Sequence, residues 1–131
     1  MKKLLLIFTL LFSTLVFSSP SYAGWTKVGE NENGDIFYVD LDRIRKHDGY
    51  VYAWDLSNYL KPTKQGNLSV KIYKQHDCKL VRFKHLSFSF HKQPRGRGSG
   101  DVMKPVKEVQ GWQYPAPNNV SESILKSICS H

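Results

Sequence analysis

The chain has 131 residues, and its 19 basic and 11 acidic side chains give a formal net charge of +8. This length fits one small domain and leaves little room for a second. The sequence contains two cysteines, Cys78 and Cys129, so an intrachain disulfide has a single pairing.

Residues 1–23 have the pattern of a secretory signal peptide. Lys2 and Lys3 precede a fourteen-residue apolar run, and the segment ends with Ser21 and Ala23 at the −3 and −1 positions. The run is shorter than the ~20 residues that a membrane-spanning helix needs. We therefore predict cleavage after Ala23 rather than a membrane anchor.

The predicted mature domain, residues 24–131, starts with two short strands. The segments Trp25 to Val28 and Asp35 to Val39 flank an Asn-Gly pair, which is a strong hairpin-turn signal. Leu41 and Ile44 then indicate one helical turn capped near Asp40 or Asp42.

Residues 50–59 predict a longer strand. Its aromatic residues Tyr50, Tyr52 and Trp54 share one parity, and smaller or polar residues share the other. We expect the aromatic residues to form a bulky inner face.

Residues 69–91 predict the central hairpin, since apolar residues alternate on both sides of a turn near His76 to Lys79. The apolar residues Val81 and Phe83 have odd numbers, whereas Leu86, Phe88 and Phe90 have even numbers. The apolar side of the strand therefore changes between Lys84 and His85. Either a β-bulge lies there, or Val81 and Phe83 face a different element.

Residues 92–104 are rich in glycine and predict a flexible loop at a hairpin tip. A last short strand is predicted over 109–114. The basic residues in and after the loop are our candidate ligand-binding residues: Lys92, Arg95, Arg97, Lys104 and Lys107.

Residues 119–129 predict a C-terminal helix with Asn119 as its N-cap and an apolar stripe at helical spacing. We expect this stripe to pack on Leu86, Phe88 and Phe90. An exported chain meets an oxidising compartment, so we also predict a Cys78–Cys129 disulfide that joins the helix to the sheet. A Cys2His2 metal site with His76 and His131 is the alternative, but its spacing matches no familiar zinc module.

The positive charge is concentrated in residues 61–107, which carry twelve basic residues against Asp77 and Asp101. Such a basic face attracts polyanions, for example sulfated glycans, anionic head groups or acidic protein surfaces. Export makes nucleic acid the poorest candidate. The alternative is a solvated surface that only keeps the protein soluble.

We find no catalytic residues in the sequence and no cofactor motif. His85, Ser87, Ser89 and His91 alternate like a catalytic row, but the two histidines are ~20 Å apart on one strand. We interpret the row as a polar, solvent-facing strip.

Taken in order, the residue pattern of the mature chain resembles the surface-adhesin protein E family of small exported bacterial proteins. The residues that carry this resemblance are Trp25, Tyr38, Asp40, Ile44, Trp54, Tyr59, Ser69, Asp77, Cys78, Arg82, Trp112, Pro115 and Cys129.

The resemblance implies an α+β, mainly β fold: an antiparallel sheet of about six strands with a disulfide-linked C-terminal helix. It also implies binding of host extracellular-matrix or serum proteins by surface-displayed members, sometimes as dimers. Because no cysteine follows the signal, we expect no lipid anchor. The alternative function is a structural accessory protein of the periplasm.

Overall fold

The computed structural model describes residues 24–131, so the predicted signal peptide and its cleavage site lie outside the described residues. The described chain forms a seven-stranded antiparallel sheet and a C-terminal helix, which confirms the predicted fold class. The strands are β1 Trp25–Glu30, β2 Ile36–Asp40, β3 Arg45–His47, β4 Tyr50–Asn58, β5 Ser69–Asp77, β6 Arg82–His91 and β7 Asp101–Met103, and helix α1 is Val120–Cys129.

The strands follow one another through the sheet in the order β1-β2-β4-β5-β6-β7, and β3 pairs with the first half of β4. The β1–β2 hairpin and the helical turn after it confirm the prediction, with the Asp40 side chain accepting from the Asp42 amide. Strand β3 was not predicted from the sequence. Its hairpin turns at Asp48 and Gly49, which both have positive φ, as a type I′ turn requires.

Helix α1 packs on β1, β2 and β4. The prediction that it packs on Leu86, Phe88 and Phe90 is therefore wrong. The core under the helix consists of Val39 and Ala53 from the sheet and Ile124 and Ile128 from the helix, with these partly buried neighbours: Val28, Phe37, Leu41, Ile44, Val51 and Val120.

The two faces of β4 are the reverse of the prediction. Val51 and Ala53 lie under the helix, whereas the bulky Tyr50, Tyr52 and Trp54 lie on the opposite face and are only half-buried. A close helix–sheet contact leaves little volume for side chains between the two layers. The small residues of β4 therefore face the helix.

The predicted β-bulge is present in β6. Tyr73 pairs with Ser87 and Lys74 pairs with His85, so Leu86 is the extra residue, slightly later than predicted. The bulge places His85 on the helix face, because His85 shares the face of its partner Lys74.

The segments after β6 differ from the prediction. Residues 92–104 are not wholly loop, since they contain the 3-10 turn Pro94–Gly96 and the short edge strand β7. The strand predicted over 109–114 is wrong, because only one isolated bridge, between Phe83 and Gln113, forms there.

The predicted disulfide is present. Cys78, in the turn between β5 and β6, is bonded to Cys129 at the end of α1, with the two Cα atoms 5.7 Å apart. Because both sulfurs are in this bond, the alternative Cys2His2 metal site is excluded.

We expect replacement of both cysteines by serine to lower the free energy of unfolding by about 4 kcal/mol, since the bond closes a loop of about fifty residues. Urea denaturation measures this loss, and Ser130→Ala at the exposed end of the helix is a matched control. Reducing agent should shift the wild-type curve in the same direction. An unchanged midpoint after reduction would contradict the stabilising role.

His76 is a buried histidine on β5 that is 1% exposed, and its Nδ1 lies 2.9 Å from the Val51 carbonyl oxygen. Because the carbonyl can only accept, Nδ1 carries the proton. Nε2 is buried without a hydrogen-bond partner among the described residues. Burial lowers the pKa of His76 to about 4, although the bond to Val51 acts in the opposite direction.

Since the unfolded histidine titrates near 6.5, the unfolded state binds more protons than the folded state between pH 6.5 and pH 4. Stability should therefore fall as the pH falls through this window, by on the order of 3 kcal/mol for His76. Urea denaturation of wild type and His76→Asn across the window checks this, with His131→Asn as the exposed control. If the His76→Asn curve falls as steeply as that of wild type, another group causes the acid sensitivity.

Candidate binding surface

The sheet face opposite helix α1 carries a row of half-buried aromatic rings. Tyr50, Tyr52 and Trp54 lie along β4, and Trp54 is paired with Tyr73 of β5. The ring centroids of Trp54 and Tyr73 are 4.9 Å apart, and those of Tyr52 and Tyr73 are 6.3 Å apart. Trp112 extends the row at 5.6 Å from Tyr50. We call these five residues the aromatic strip.

Three basic side chains lie over rings of the aromatic strip. The Arg45 guanidinium carbon is 4.8 Å from the centroid of Tyr52, its partner across the β3–β4 pair. The Arg82 guanidinium carbon lies 4.1 Å from the centroid of Trp112, and Lys84 Nζ lies 4.5 Å from it. These cation–π contacts hold positive charge against the strip.

The loop between β6 and β7 packs on the same face at the other end of β4. Ser69 Oγ donates to the Gln93 carbonyl oxygen at 2.6 Å and accepts from the Gly96 amide at 2.8 Å. The Arg95 amide donates to Asn58 Oδ1 at 2.7 Å. The predicted hairpin tip is therefore hydrogen-bonded to β4 and β5.

The predicted polar row on β6 is not a solvent-facing strip. Ser89 and His91 are buried, and Ser89 Oγ lies 2.8 Å from His91 Nε2. His91 Nδ1 lies 3.2 Å from the Arg97 carbonyl oxygen, so it donates to this acceptor and leaves Nε2 to accept from Ser89. The pair therefore fixes the loop, and Ser89 Oγ faces a buried neighbour rather than solvent.

The five candidate ligand-binding residues fall into two groups. Lys92, Arg95 and Arg97 lie in the loop, and all but Arg95 are well exposed. Lys104 and Lys107 follow β7 and are exposed, and Lys104 lines a groove with Phe88 and Phe90 on the helix side of the sheet. The candidate residues therefore lie on both faces of the sheet. The loop residues Lys92, Arg95 and Arg97 lie on the face opposite helix α1, and Lys104 lies on the helix face.

Comparison with known proteins identifies the family. The sequence profile of the surface-adhesin protein E family matches residues 25–130. The chain belongs to this family. Membership confirms the resemblance predicted from the sequence and indicates an exported surface adhesin.

Solved structures of Haemophilus influenzae protein E share the fold. The crystal form II structure has a TM-score of 0.62 and 19% sequence identity, over 84% of this chain and 90% of that chain. A second structure, of protein E from non-typeable Haemophilus influenzae, has a TM-score of 0.57 and 18% identity, over 86% of this chain and 79% of that chain. No curated protein sequence matches the chain.

The described part of this adhesin-family chain contains no helix with the length and hydropathy needed to cross a membrane. Its described residues also include no group of three or more histidine, cysteine, aspartate or glutamate side chains placed to hold a metal ion.

On the helix side of the sheet, the adhesin-family chain contains a buried ion pair. Lys74 Nζ lies 3.0 Å from Asp55 Oδ2, and both side chains are almost fully buried. Burial raises the pKa of Asp55, and the Lys74 ammonium opposes this rise. Lys74 also lies 4.7 Å from the ring centroid of Phe83. Lys74 is thus part of the interior and not of the predicted basic face.

A cleft of about 410 Å³ lies between the sheet and the start of helix α1, and the buried pair lines it together with His85. Burial, and then the charge of Lys74, lower the pKa of His85 to about 4, so this ring is neutral at pH 7. His85 Nδ1 lies 3.3 Å from Gln113 Nε2 and accepts from it. With Asp55 0% exposed, the cleft offers no free carboxylate to a ligand.

The aromatic strip was not predicted as a binding surface, although the shared parity of its three rings on β4 was. The available signal was chemical, since Tyr and Trp have a polar group as well as a large ring and often lie half-exposed at binding surfaces. Trp112 could not be added from the pattern, because its place beside Arg82 depends on the Phe83–Gln113 bridge.

We expect Lys74→Met to lower the free energy of unfolding by about 3–5 kcal/mol, because it leaves the Asp55 carboxylate buried without a counter-charge. The double variant Asp55→Leu with Lys74→Met should recover much of this loss. Urea denaturation at pH 7 measures both, and Lys79→Met in the exposed β5–β6 turn is the control. A loss no larger than that of the control would show that the pair does not stabilise the fold.

Proposed function

We propose that this adhesin-family chain is an exported, non-enzymatic binding protein. It contacts a host extracellular-matrix or serum protein, or an anionic glycan, and acts without a lipid anchor in the periplasm, on the cell surface or in the medium. The basic residues of the β6–β7 loop, with Lys104 and Lys107, make the contact. The proposal uses no cofactor and no metal.

The observation that carries this proposal is the fixed, exposed position of the loop cations. Ser69 and Asn58 hold the loop backbone on the sheet, so Lys92 and Arg97 are presented in a defined place. Cations on an ordered surface attract polyanions at less entropic cost than cations on a free tail. The buried Ser89–His91 pair supports the non-enzymatic part of the proposal, since its hydroxyl is directed at a buried ring.

Charge reversal of the loop tests the proposal. We expect Lys92→Glu with Arg97→Glu to weaken binding to immobilised heparin by on the order of tenfold at low salt and to flatten its dependence on salt. Surface plasmon resonance over a salt series measures both effects. Lys46→Glu, at an exposed position on β3, is the matched control, and Lys104→Glu with Lys107→Glu tests the second group.

Binding that is insensitive to salt and to all these reversals would contradict a role for the basic residues. Affinity capture of an envelope assembly, without any host ligand, would instead support a periplasmic accessory protein. Dimerisation, which the resemblance implies for some members, stays a prediction that light scattering after size-exclusion chromatography checks.

A further inference from the structure

The aromatic strip is only half-buried, because helix α1 packs on the other face of the sheet and the β6–β7 loop packs towards the Asn58 end of β4. Alternate residues of a strand are ~7 Å apart, so Tyr50, Tyr52 and Trp54 form a regular ladder of rings along β4. Tyr73 and Trp112 widen this ladder on the side of β5 and β6.

The charges that lie over the rings of the strip are positive, although the carboxylates of Asp48 and Asp77 line a cavity with Tyr50 at one end of it. Arg45 and Lys84 lie over its rings, and Arg82 lies over Trp112 while it also pairs with Asp77 at 2.9 Å. The carboxylate of Asp77 is thereby neutralised, which leaves Arg45 and Lys84 as the uncompensated charges in contact with the rings. The strip therefore complements an anionic partner.

Aliphatic surface borders the strip at Leu80, which lines a cavity with Tyr50. The well-exposed large apolar side chains of the described residues are Leu60, Leu80, Val81, Val102, Met103, Val106 and Tyr114. The strip thus combines rings with cations and has Leu80 at its Tyr50 end.

We propose that the aromatic strip is a binding subsite for an acidic oligosaccharide, that is, a glycan bearing sulfate or uronic acid groups. The ring faces that Arg45, Arg82 and Lys84 leave uncovered meet the polarised C–H faces of the pyranose rings. Arg45 donates from its planar guanidinium to a sulfate or carboxylate, and Lys84 supplies a second, compact positive charge. This inference deepens the proposed function and rests on it, because it assigns the glycan to a surface separate from the basic loop.

A size-defined heparin oligosaccharide is the probe. We expect Tyr52→Ala and Trp112→Ala each to weaken its binding by on the order of tenfold, the size of effect seen when a stacking ring is removed. Tyr52→Phe keeps the ring and should bind like wild type. Leu60→Ala removes an exposed apolar side chain beyond the end of β4, outside the strip, and is the matched control.

Isothermal titration calorimetry with two further probes separates the possible causes. Inorganic polyphosphate carries charge without sugar rings, so it should still bind the Tyr52→Ala and Trp112→Ala variants, and their urea denaturation curves show whether they are folded. Replacement of Lys92 and Arg97 by glutamate, which reverses their charge, should weaken polyphosphate binding. Unchanged oligosaccharide binding by both strip variants would overturn the subsite and leave the basic loop intact.

The converse result, in which the strip variants lose the oligosaccharide and the loop charge reversals change nothing, would support the subsite and contradict the role of the basic loop.

An enzymatically deglycosylated matrix protein is the last probe. If the strip variants lose this protein but keep the oligosaccharide, the strip is a protein-docking surface and the glycan proposal is overturned.

Discussion

The Cys78–Cys129 bond fixes where helix α1 can lie, and this placement determines the character of both faces of the sheet. The bond holds the end of the helix at the β5–β6 turn, and the helix then packs across β4, β2 and β1. Small residues such as Ala53 must face it, because a close contact between the two layers leaves little room. The large side chains of β4 therefore go to the other face, where Leu56 is buried but Tyr50, Tyr52 and Trp54 are only half-buried.

Most strands could be predicted, because the alternation of apolar and polar residues reflects the local geometry of a strand. Which of the two sets of alternating residues faces the helix could not be predicted. The alternation in Tyr50, Tyr52 and Trp54 fixes that these rings share a face, and size then suggested that they lie inside. Burial depends on the position of the helix, and the helix end is held by Cys78, which precedes Cys129 by 51 positions. The same long-range effect explains why the helix does not pack on Phe88 and Phe90, since those residues lie beyond the strands that α1 reaches.

The sheet faces on which the β6 histidines lie depend on one inserted residue. Leu86 shifts the register, so His85 and His91 lie on opposite faces although six positions would otherwise place them on the same one. The sequence carried a signal for the bulge, in the change of apolar parity near His85. It carried no signal that the glycine-rich loop folds back to bury Ser89 and His91, because those contacts join residues through the loop backbone.

The count of charged residues alone overstates the basic surface. Residues 61–107 carry twelve basic side chains, yet Lys74 is buried against Asp55 and Arg82 is paired with Asp77. A buried or paired cation adds little to the potential that a partner meets at the surface. Ten of the twelve basic side chains are then left to produce the field, among them the loop cations and Lys84 beside the aromatic strip. Under the proposed function, the position of a few charges next to aromatic rings would give a selectivity for the partner that a diffuse positive charge would not give.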